Sequence, residues 1–596
     1  MKKNRLSHIF FKIGTAHIKE RQLILLLSVV VGISAALAAT LFKELVHHIR
    51  HFVTYLINVY YARYLFFVFP FIGIFLTIIF MKGVLKRMLG HGIPNVLYSI
   101  SRNAARLKPS NIYASIIASS LTIGFGGSAG VEGPSAATGA AIGSNLAGLF
   151  RLKYSQRVLL LGAGTAAAIA AIFKAPITGI VFVIEILMLD LKFSNLVPLL
   201  VSTATATLVS YLILGKDIIY NIPTSYEISL TDIGLLVILA ILAGFISFYY
   251  FKTYVFIHDF FEKYFNNMWH KLLAGGIGMG LLVFLLPPVY GEGFEFINNM
   301  LNGDFSHVVS HTLINIHQNP YIQFFIFFLL IILAKPIATS LTFAAGGVGG
   351  DFAPSLFIGA NLGALFALLV NHFTGLHLNV TVFTLVGMAS TLSGILHAPL
   401  TSIFLIAEIT GGYNLLIPLM IVSALSFYTS TVLSNESIYT YKLSKRGDLI
   451  THNKDLSAIN LIEIERLIEK NFRTISPNFK IKDLMEAFEQ STRNLFPVID
   501  KDNRLLGVVV LDDIRKVLCR PEYAELPVSK FITELSDEEI IEITQDSTQS
   551  AINKFLHTGH YNLPVTQNGK YLGFISKANL FTKYREIVKT LTGEEN

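Results

Sequence analysis

Long apolar runs recur along this chain at about 23–41, 53–80, 157–184, 194–214, 228–250, 270–288, 321–344, 355–371 and 379–434. Each lies near or above the roughly 20 residues that carry a helix across bilayer hydrocarbon, so the chain is predicted to be a polytopic membrane protein. Helices are the expected element there, because backbone N–H and C=O groups in lipid must be satisfied within the segment. Composition agrees, with 53% hydrophobic residues and only 14% charged ones. The basic stretch MKKNRLSHIFFKIGTAHIKER precedes the first run and places the N-terminus in the cytoplasm. Ala36-Leu37-Ala38 mimics a cleavage site, but the basic region is long and further spans follow, so the first run is read as a span and not as a secretory signal. The net charge of +8 collects largely in the N-terminal arm and around Lys442 to Arg446, which suits an anionic inner leaflet better than nucleic acid. A single cysteine, Cys519, excludes a disulfide within the chain and fits a reducing cytoplasmic side.

After about Tyr441 charges become frequent and apolar runs shorten, which marks a soluble part. Within it LFPVIDKDNRLLGVVVLDDIRKVL at 495–518 is repeated as NLPVTQNGKYLGFISKANLFTKYR at 562–585. Each copy reads as strand, turn, strand and helix, with a helix ahead of it at 481–490 or 548–557. The membrane part also repeats. GGSAGVEGPSAATGAAIGSNLA at 126–147 matches GGVGGDFAPSLFIGANLGAL at 346–365, and FKAPITGIVFVIEI at 173–186 matches LHAPLTSIFLIAEI at 396–409. One offset of about 220 residues relates both pairs, so the membrane part is predicted to be two copies of one unit.

Between Lys108 and Arg151 the only charged residue is Glu132, set among glycines and a proline. A lone carboxylate at membrane depth is costly unless it faces protein or water, so it reads as a functional group on an ion or proton path. An anion crossing lipid needs donors that replace its water yet release it quickly. Main-chain N–H groups at helix N-termini provide this without a fixed cation. Three segments have the glycine and proline such helix starts require: Gly90-His91-Gly92-Ile93-Pro94, Gly130-Val131-Glu132-Gly133-Pro134 and Gly350-Asp351-Phe352-Ala353-Pro354. None contains Lys or Arg.

In type and order these three segments resemble the GxGIP, GxEGP and GxFxP motifs of the CLC family of chloride channels and chloride/proton exchangers. Ser437-Ile438-Tyr439-Thr440 is similar to the family segment whose tyrosine contacts the central anion, and the repeat at roughly 470–590 resembles a tandem pair of CBS domains. The resemblance implies an all-α polytopic membrane protein of two inverted repeats with a C-terminal cytoplasmic α/β CBS-domain pair. Its domains would be a basic arm at 1–22, the transport domain at 23–441, a linker at 442–469, and CBS domains at 470–530 and 531–596. It also implies a homodimer in the plasma (inner) membrane, a pore in each subunit, both termini cytoplasmic, and chloride as substrate with no prosthetic group.

Carried onto this sequence, the resemblance makes Glu132 the gating carboxylate, which competes with the anion for its site. Gly92, Ile93, Phe352 and Ala353 would offer main-chain amides, and Tyr439 its hydroxyl. His91 replaces a serine common in relatives; its imidazole either donates to the ion or turns aside. Asp351 is expected to point away from the anion and cap its helix. Family exchangers place a proton-relaying glutamate after the first acid of FKAPITGIVFVIEI; here Glu185 is followed by Ile186. Isoleucine carries no proton, which favours passive conduction, with proton-coupled exchange as the alternative if Glu185 or water relays. Retained Pro134 favours chloride over fluoride. Glu408, the counterpart of Glu185, is expected to make an interhelical or helix-end contact. In the CBS pair, Ser576 and Asn579 stand where an adenine nucleotide's ribose would be held, the alternative being a structural dimerisation module.

A membrane-embedded enzyme would need other residues. The chain has no His-Glu-x-x-His, no paired intramembrane aspartates and no Gly-x-Ser-x-Gly. His397 and Ser393 lack an evident acid partner, and no metal site is expected.

Overall fold

The computed structural model describes residues 19–59, 64–90, 92–189, 193–215, 229–301, 320–445, 459, 462, 464–491, 493–518 and 520–592. His91, Cys519 and most of the basic arm lie outside them. The chain forms two compact units, 1–449 and 450–596.

The first half of the membrane unit comprises α1 (Glu20–Val59), α2 (Leu65–Ile79), α3 (Gly92–Arg102), α4 (Asn111–Gly124), α5 (Glu132–Leu149), α6 (Tyr154–Phe173), α7 (Pro176–Ile186) and α8 (Phe193–Leu214). The second half comprises α9 (Leu230–Tyr264), α10 (Met268–Leu285), α11 (Phe294–Leu301), α12 (Pro320–Ala344), α13 (Phe352–Thr374), α14 (Val380–Leu396), α15 (Pro399–Ile409) and α16 (Leu416–Leu433), with the short α17 (Tyr441–Lys445) after it. Among the described residues, nine helices are long and apolar enough to cross a membrane.

Several apolar runs are divided differently from the sequence reading. No glycine or proline interrupts 42–52, so α1 continues through its polar stretch to Val59. The run at 157–184 breaks at Lys174, which adopts φ 56° before Pro176 opens α7. In the second half the same break recurs: His397 has φ 57° and Pro399 opens α15. Proline fits the first helical turn, where its missing N–H costs nothing.

Small residues let the helices of each half approach closely, the usual way membrane helices associate. A Cβ added at Gly139 would lie 2.0 Å from the carbonyl oxygen of Gly164, joining α5 to α6. In the second half a Cβ on Gly359 would lie 2.3 Å from the Gly387 carbonyl, joining α13 to α14. The halves meet at a self-complementary seam. Gly130 and Gly350 exchange two main-chain hydrogen bonds of 2.8 Å each as an antiparallel pair. Beside them Ser128 N–H donates to Thr342 Oγ1 and Val348 N–H to Thr122 Oγ1, both at 3.1 Å.

The second unit carries the repeat seen in the sequence. α18 (Ile481–Glu489), β1 (Leu495–Ile499), β2 (Leu505–Val510) and α19 (Leu511–Leu518) form one module. β3 (Ile541–Glu542), α20 (Thr548–Thr558), β4 (Asn562–Gln567), β5 (Lys570–Ser576) and α21 (Lys577–Thr592) form the other. β1 and β2 pair antiparallel, as do β4 and β5, with β3 parallel to β4. The modules exchange flanking segments. Residues ahead of the first module, expected as linker, belong to the second: Ile462 and Ile464 pack with Phe555, Leu563 and Ile575. Glu469 exchanges main-chain hydrogen bonds with Phe574, and Thr533 does the same with Val508 of the first module.

Candidate functional site

Three helix N-termini converge at the seam because each begins at a glycine-containing motif with no side chain in the way. A Cβ on Gly92 would lie 2.5 Å from the Gly133 carbonyl oxygen, and one on Gly133 would lie 3.0 Å from Gly350 Cα. The starts of α3, α5 and α13 are thus in backbone contact, and all three present main-chain amides with the positive end of a helix dipole.

Glu132 is fully buried at the first turn of α5. Its carboxylate faces its own amide and that of Ala353, but neither oxygen closes a hydrogen bond. Ile93, Phe352 and Ala353 are buried at the starts of α3 and α13. The rings of Phe173 and Phe182 pack at a tilt against Phe352, at 5.3 and 6.3 Å between centroids. Tyr439 is held just ahead of α17 by a turn in which Ser437 N–H donates to Thr440 Oγ1 at 3.0 Å. Its buried hydroxyl also lacks a hydrogen-bond partner. Buried polar atoms are rarely left unpaired; here a carboxylate and a hydroxyl are, side by side with helix N-termini. The structure therefore brings together Gly92, Ile93, Glu132, Phe352, Ala353 and Tyr439.

Asp351 does not cap α13 as expected. Its side chain makes no capping bond; its Oδ1 accepts a 3.0 Å hydrogen bond from the Tyr250 hydroxyl on α9. The tyrosine hydroxyl supplies this buried carboxylate with a directed, charge-assisted hydrogen bond.

Glu185 and Glu408 form a reciprocal pair. Glu185 accepts from the N–H of Leu400 (2.8 Å) and from the N–H and Oγ1 of Thr401 (2.7 and 2.6 Å). Glu408 accepts from Ile177 N–H (3.0 Å) and from the N–H and Oγ1 of Thr178 (2.8 and 2.6 Å). Each carboxylate thus caps the other half's proline-started helix, the helix-end contact foreseen for Glu408. Ile186 is buried beside Glu185.

Sequence reasoning missed Glu292 and Lys335. Glu292 accepts from Val131 N–H at 3.3 Å, one residue before Glu132. Lys335 is fully buried; its ammonium donates to the carbonyls of Val289 (3.0 Å) and Gly291 (2.8 Å) and lies 4.7 Å from the Phe357 ring centroid. Two signals were present. Lys335 is a single cation inside an apolar run, and Gly291-Glu292-Gly293 opens α11 as Gly90-His91-Gly92 opens α3.

In the second unit Ser576 and Asn579 meet at the start of α21, Asn579 N–H donating to Ser576 Oγ at 3.2 Å. The Asn579 amide is engaged by Glu469 at 2.7 Å, and Glu469 pairs with Arg493 at 2.7 Å.

The voltage gated chloride channel profile matches residues 73–431. This chain is a member of that family. A CBS domain profile matches 464–520. The CLC member of Vibrio cholerae called H(+)/Cl(-) exchange transporter ClcA is 28% identical over 443 residues, 71% of this chain and 89% of its own. Chloride channel protein CLC-f of Arabidopsis thaliana is 25% identical over 587 residues, 85% of this chain and 73% of its own. Among solved structures, a slow cyanobacterial Cl-/H+ antiporter superposes with TM-score 0.61 at 21% identity, covering 72% of this chain and 99% of that one. A eukaryotic CLC transporter gives TM-score 0.61 at 18% identity, covering 93% and 97%. The CLC fold of two inverted repeats followed by a CBS pair is thereby that of this multi-pass membrane protein.

Proposed function

We propose that this protein moves chloride across a membrane through the space where α3, α5 and α13 begin, with Glu132 as gate. The observation that carries this reading is the buried, partnerless carboxylate of Glu132 among helix N-termini free of Lys and Arg. Donors arranged for a small anion also hold a carboxylate, so anion and gate compete for one position. Protonating Glu132 removes its charge and yields the position to chloride. Gly92, Ile93, Phe352 and Ala353 supply amides, and Tyr439 supplies the hydroxyl on the far side of the ion. Chloride efflux from liposomes holding the purified protein tests this. Glu132→Gln and Glu132→Ala are expected to abolish the pH dependence of that efflux; a mutant that keeps it removes the gate.

Whether transport is passive or coupled turns on how protons reach Glu132. Ile186 cannot relay them, and Glu185 is tied to three donors as a helix cap, so the route used by family exchangers is closed at this point. Passive conduction follows unless another route exists. The CBS pair we read as structural, since the Asn579 amide is already given to Glu469; heat on titrating ATP, ADP or AMP into the full chain would restore a nucleotide role for Ser576 and Asn579. By family resemblance the protein pairs as a homodimer with both termini in the cytoplasm.

A further inference from the structure

The residues from Val289 to Gly293, between α10 and α11, are tied down at several points. The Lys335 ammonium donates to the carbonyls of Val289 and Gly291 at 3.0 and 2.8 Å. The Tyr290 hydroxyl donates to the Gly124 carbonyl at the end of α4 at 3.0 Å, and its ring fills the space that a Cβ on Gly126 would take. Gly291 and Gly293 adopt φ 56° and 86°, left-handed values that suit glycine, and the Phe357 ring occupies the place of a Cβ on Gly293. Between these two glycines stands Glu292, whose Oε1 accepts from Val131 N–H at 3.3 Å.

Val131 directly precedes Glu132, and Glu132 Oε2 lies over Gly130, in the space a Cβ there would take. Two carboxylates therefore border the short stretch Gly130-Val131. They differ in access: Glu132 is fully buried, whereas Glu292 is half-buried. Glu295, at the start of α11, is exposed and pairs with Arg50 of α1, so this loop links the surface to the gate. The surface in question faces away from the soluble unit. Asp259 near the end of α9 pairs at 3.9 Å with Lys445, where the chain leaves the membrane unit; α10, long and apolar enough to cross a membrane, then carries the chain to the opposite, outer side before Val289. Arg50 and Lys43 of α1 and Lys335 of α12 act on Glu292, but Arg50 is shared with Glu295 and Lys335 with two carbonyls. A fixed charge where an ion path meets water sets how readily the ion enters.

We propose that Glu292 is a second carboxylate on the chloride path, set on the outer side of the gate, whose charge restrains chloride entering from that side and makes the current rectify. Chloride bound from the outer side for the amides at the start of α5 passes this carboxylate first and is repelled by it. Chloride arriving from the side of the soluble unit meets it only on leaving. When voltage drives chloride in from the outer side, entry past Glu292 limits the current; in the other direction entry is limited elsewhere. Lys43, Arg50 and Lys335 keep the repulsion from closing the path. The Val131 amide holds the carboxylate at the path instead of releasing it to water, and the tied loop of Val289 to Gly293 fixes the point from which it reaches in.

This inference rests on the chloride transport proposed above, and one experiment separates the two. The full chain carrying Glu292→Cys and Cys519→Ser is placed in a planar bilayer between chloride solutions, and current is recorded at both polarities. Membrane-impermeant methanethiosulfonates bearing either an ethylsulfonate or an ethyltrimethylammonium group are added to one chamber, where they reach only molecules whose outer side faces it. The sulfonate restores the negative charge and the ammonium reverses it. Current carried by chloride entering from the treated chamber should be about tenfold larger after the ammonium than after the sulfonate, the scale of a charge a few ångströms from an ion, while the opposite current changes by no more than about twofold. Glu292→Gln keeps the side-chain volume and an acceptor for Val131 N–H, and serves if the cysteine variant does not fold; it should speed chloride efflux from liposomes severalfold. Equal effects of the two reagents, effects of equal size at both polarities, or unaltered efflux in Glu292→Gln overturn the role of this charge and leave chloride transport standing. No chloride current in the unaltered protein overturns the transport reading, and this inference with it.

Discussion

The helix that starts at Glu132 and the one that starts at Phe352 are laid on the same template, yet they carry different chemistry. Their glycines meet at Gly130 and Gly350, each half has a threonine accepting from the other, and each half ends a helix with Lys174 or His397 before a proline. Outside the capping pair Glu185 and Glu408, charge follows no such template. The first half places its acid at Glu132, where the second has Phe352, while the second places Asp351 where the first has Val131. Lys335 of α12 is matched in α4 by Ser115. Scaffold contacts made by backbone, small residues and the capping carboxylates Glu185 and Glu408 are shared by the halves; the ionisable groups Glu132 and Asp351 belong to one half each.

The largest effect that would break this comparison is at Lys335. Lys335→Met strips a buried cation from two carbonyls and leaves Glu292 less compensated, so a loss of about 3–5 kcal/mol is expected, against no more than about 1 kcal/mol for Ser115→Ala. Thermal unfolding in detergent measures both, and equal losses would contradict the asymmetry. Next come the shared contacts. Gly139→Ala and Gly359→Ala force a methyl onto a facing carbonyl, and each should cost about 1–3 kcal/mol by overpacking. A clear difference between the two in midpoint temperature would mean that the halves are not packed alike.

The reciprocal caps sharpen the comparison further. Thr178→Val and Thr401→Val should destabilise by similar amounts, about 1 kcal/mol or somewhat more for a hydrogen bond to a carboxylate. Glu185→Gln and Glu408→Gln should leave chloride efflux and its pH dependence unaltered, because both side chains serve as caps; an altered pH dependence in Glu185→Gln alone would return that residue to the proton path. The smallest effect lies in the soluble unit. Burial acts to raise the Glu542 carboxyl, but bonds from Thr544, Thr566 and the amides of Asn568 and Gly569 outweigh it and hold it at about 2. The folded value is below the ordinary 4.5, so this contribution is present above about pH 4.5 and is lost as pH falls towards 2. Hydrogen exchange at Asn568 and Gly569, corrected for intrinsic rates, should speed up across that window, and Glu542→Gln should abolish the change.

Much of the site was legible because its residues are chemically singular in their surroundings. A carboxylate among alanines, glycine-proline pairs inside apolar runs and a repeat at one offset stand out without coordinates. Partners distant in sequence did not. Asp351 is expected to cap its own helix on local grounds, but its partner Tyr250 lies 101 residues earlier, and one tyrosine in an apolar helix looks like any other. Glu292 lies 161 residues from Val131. The exchange of flanking segments between CBS modules was equally hidden, since Ile462 and Ile464 read as linker until Phe555 and Leu563 are seen against them.

Because the joint between Gly130 and Gly350 is made of peptide groups alone, it does not depend on which side chains surround it. Side chains around it can therefore differ between the halves, an aspartate in one and a valine in the other, without loosening the seam where the halves meet. Such an arrangement lets a lineage revise what travels with the halide while inheriting the vessel that carries it.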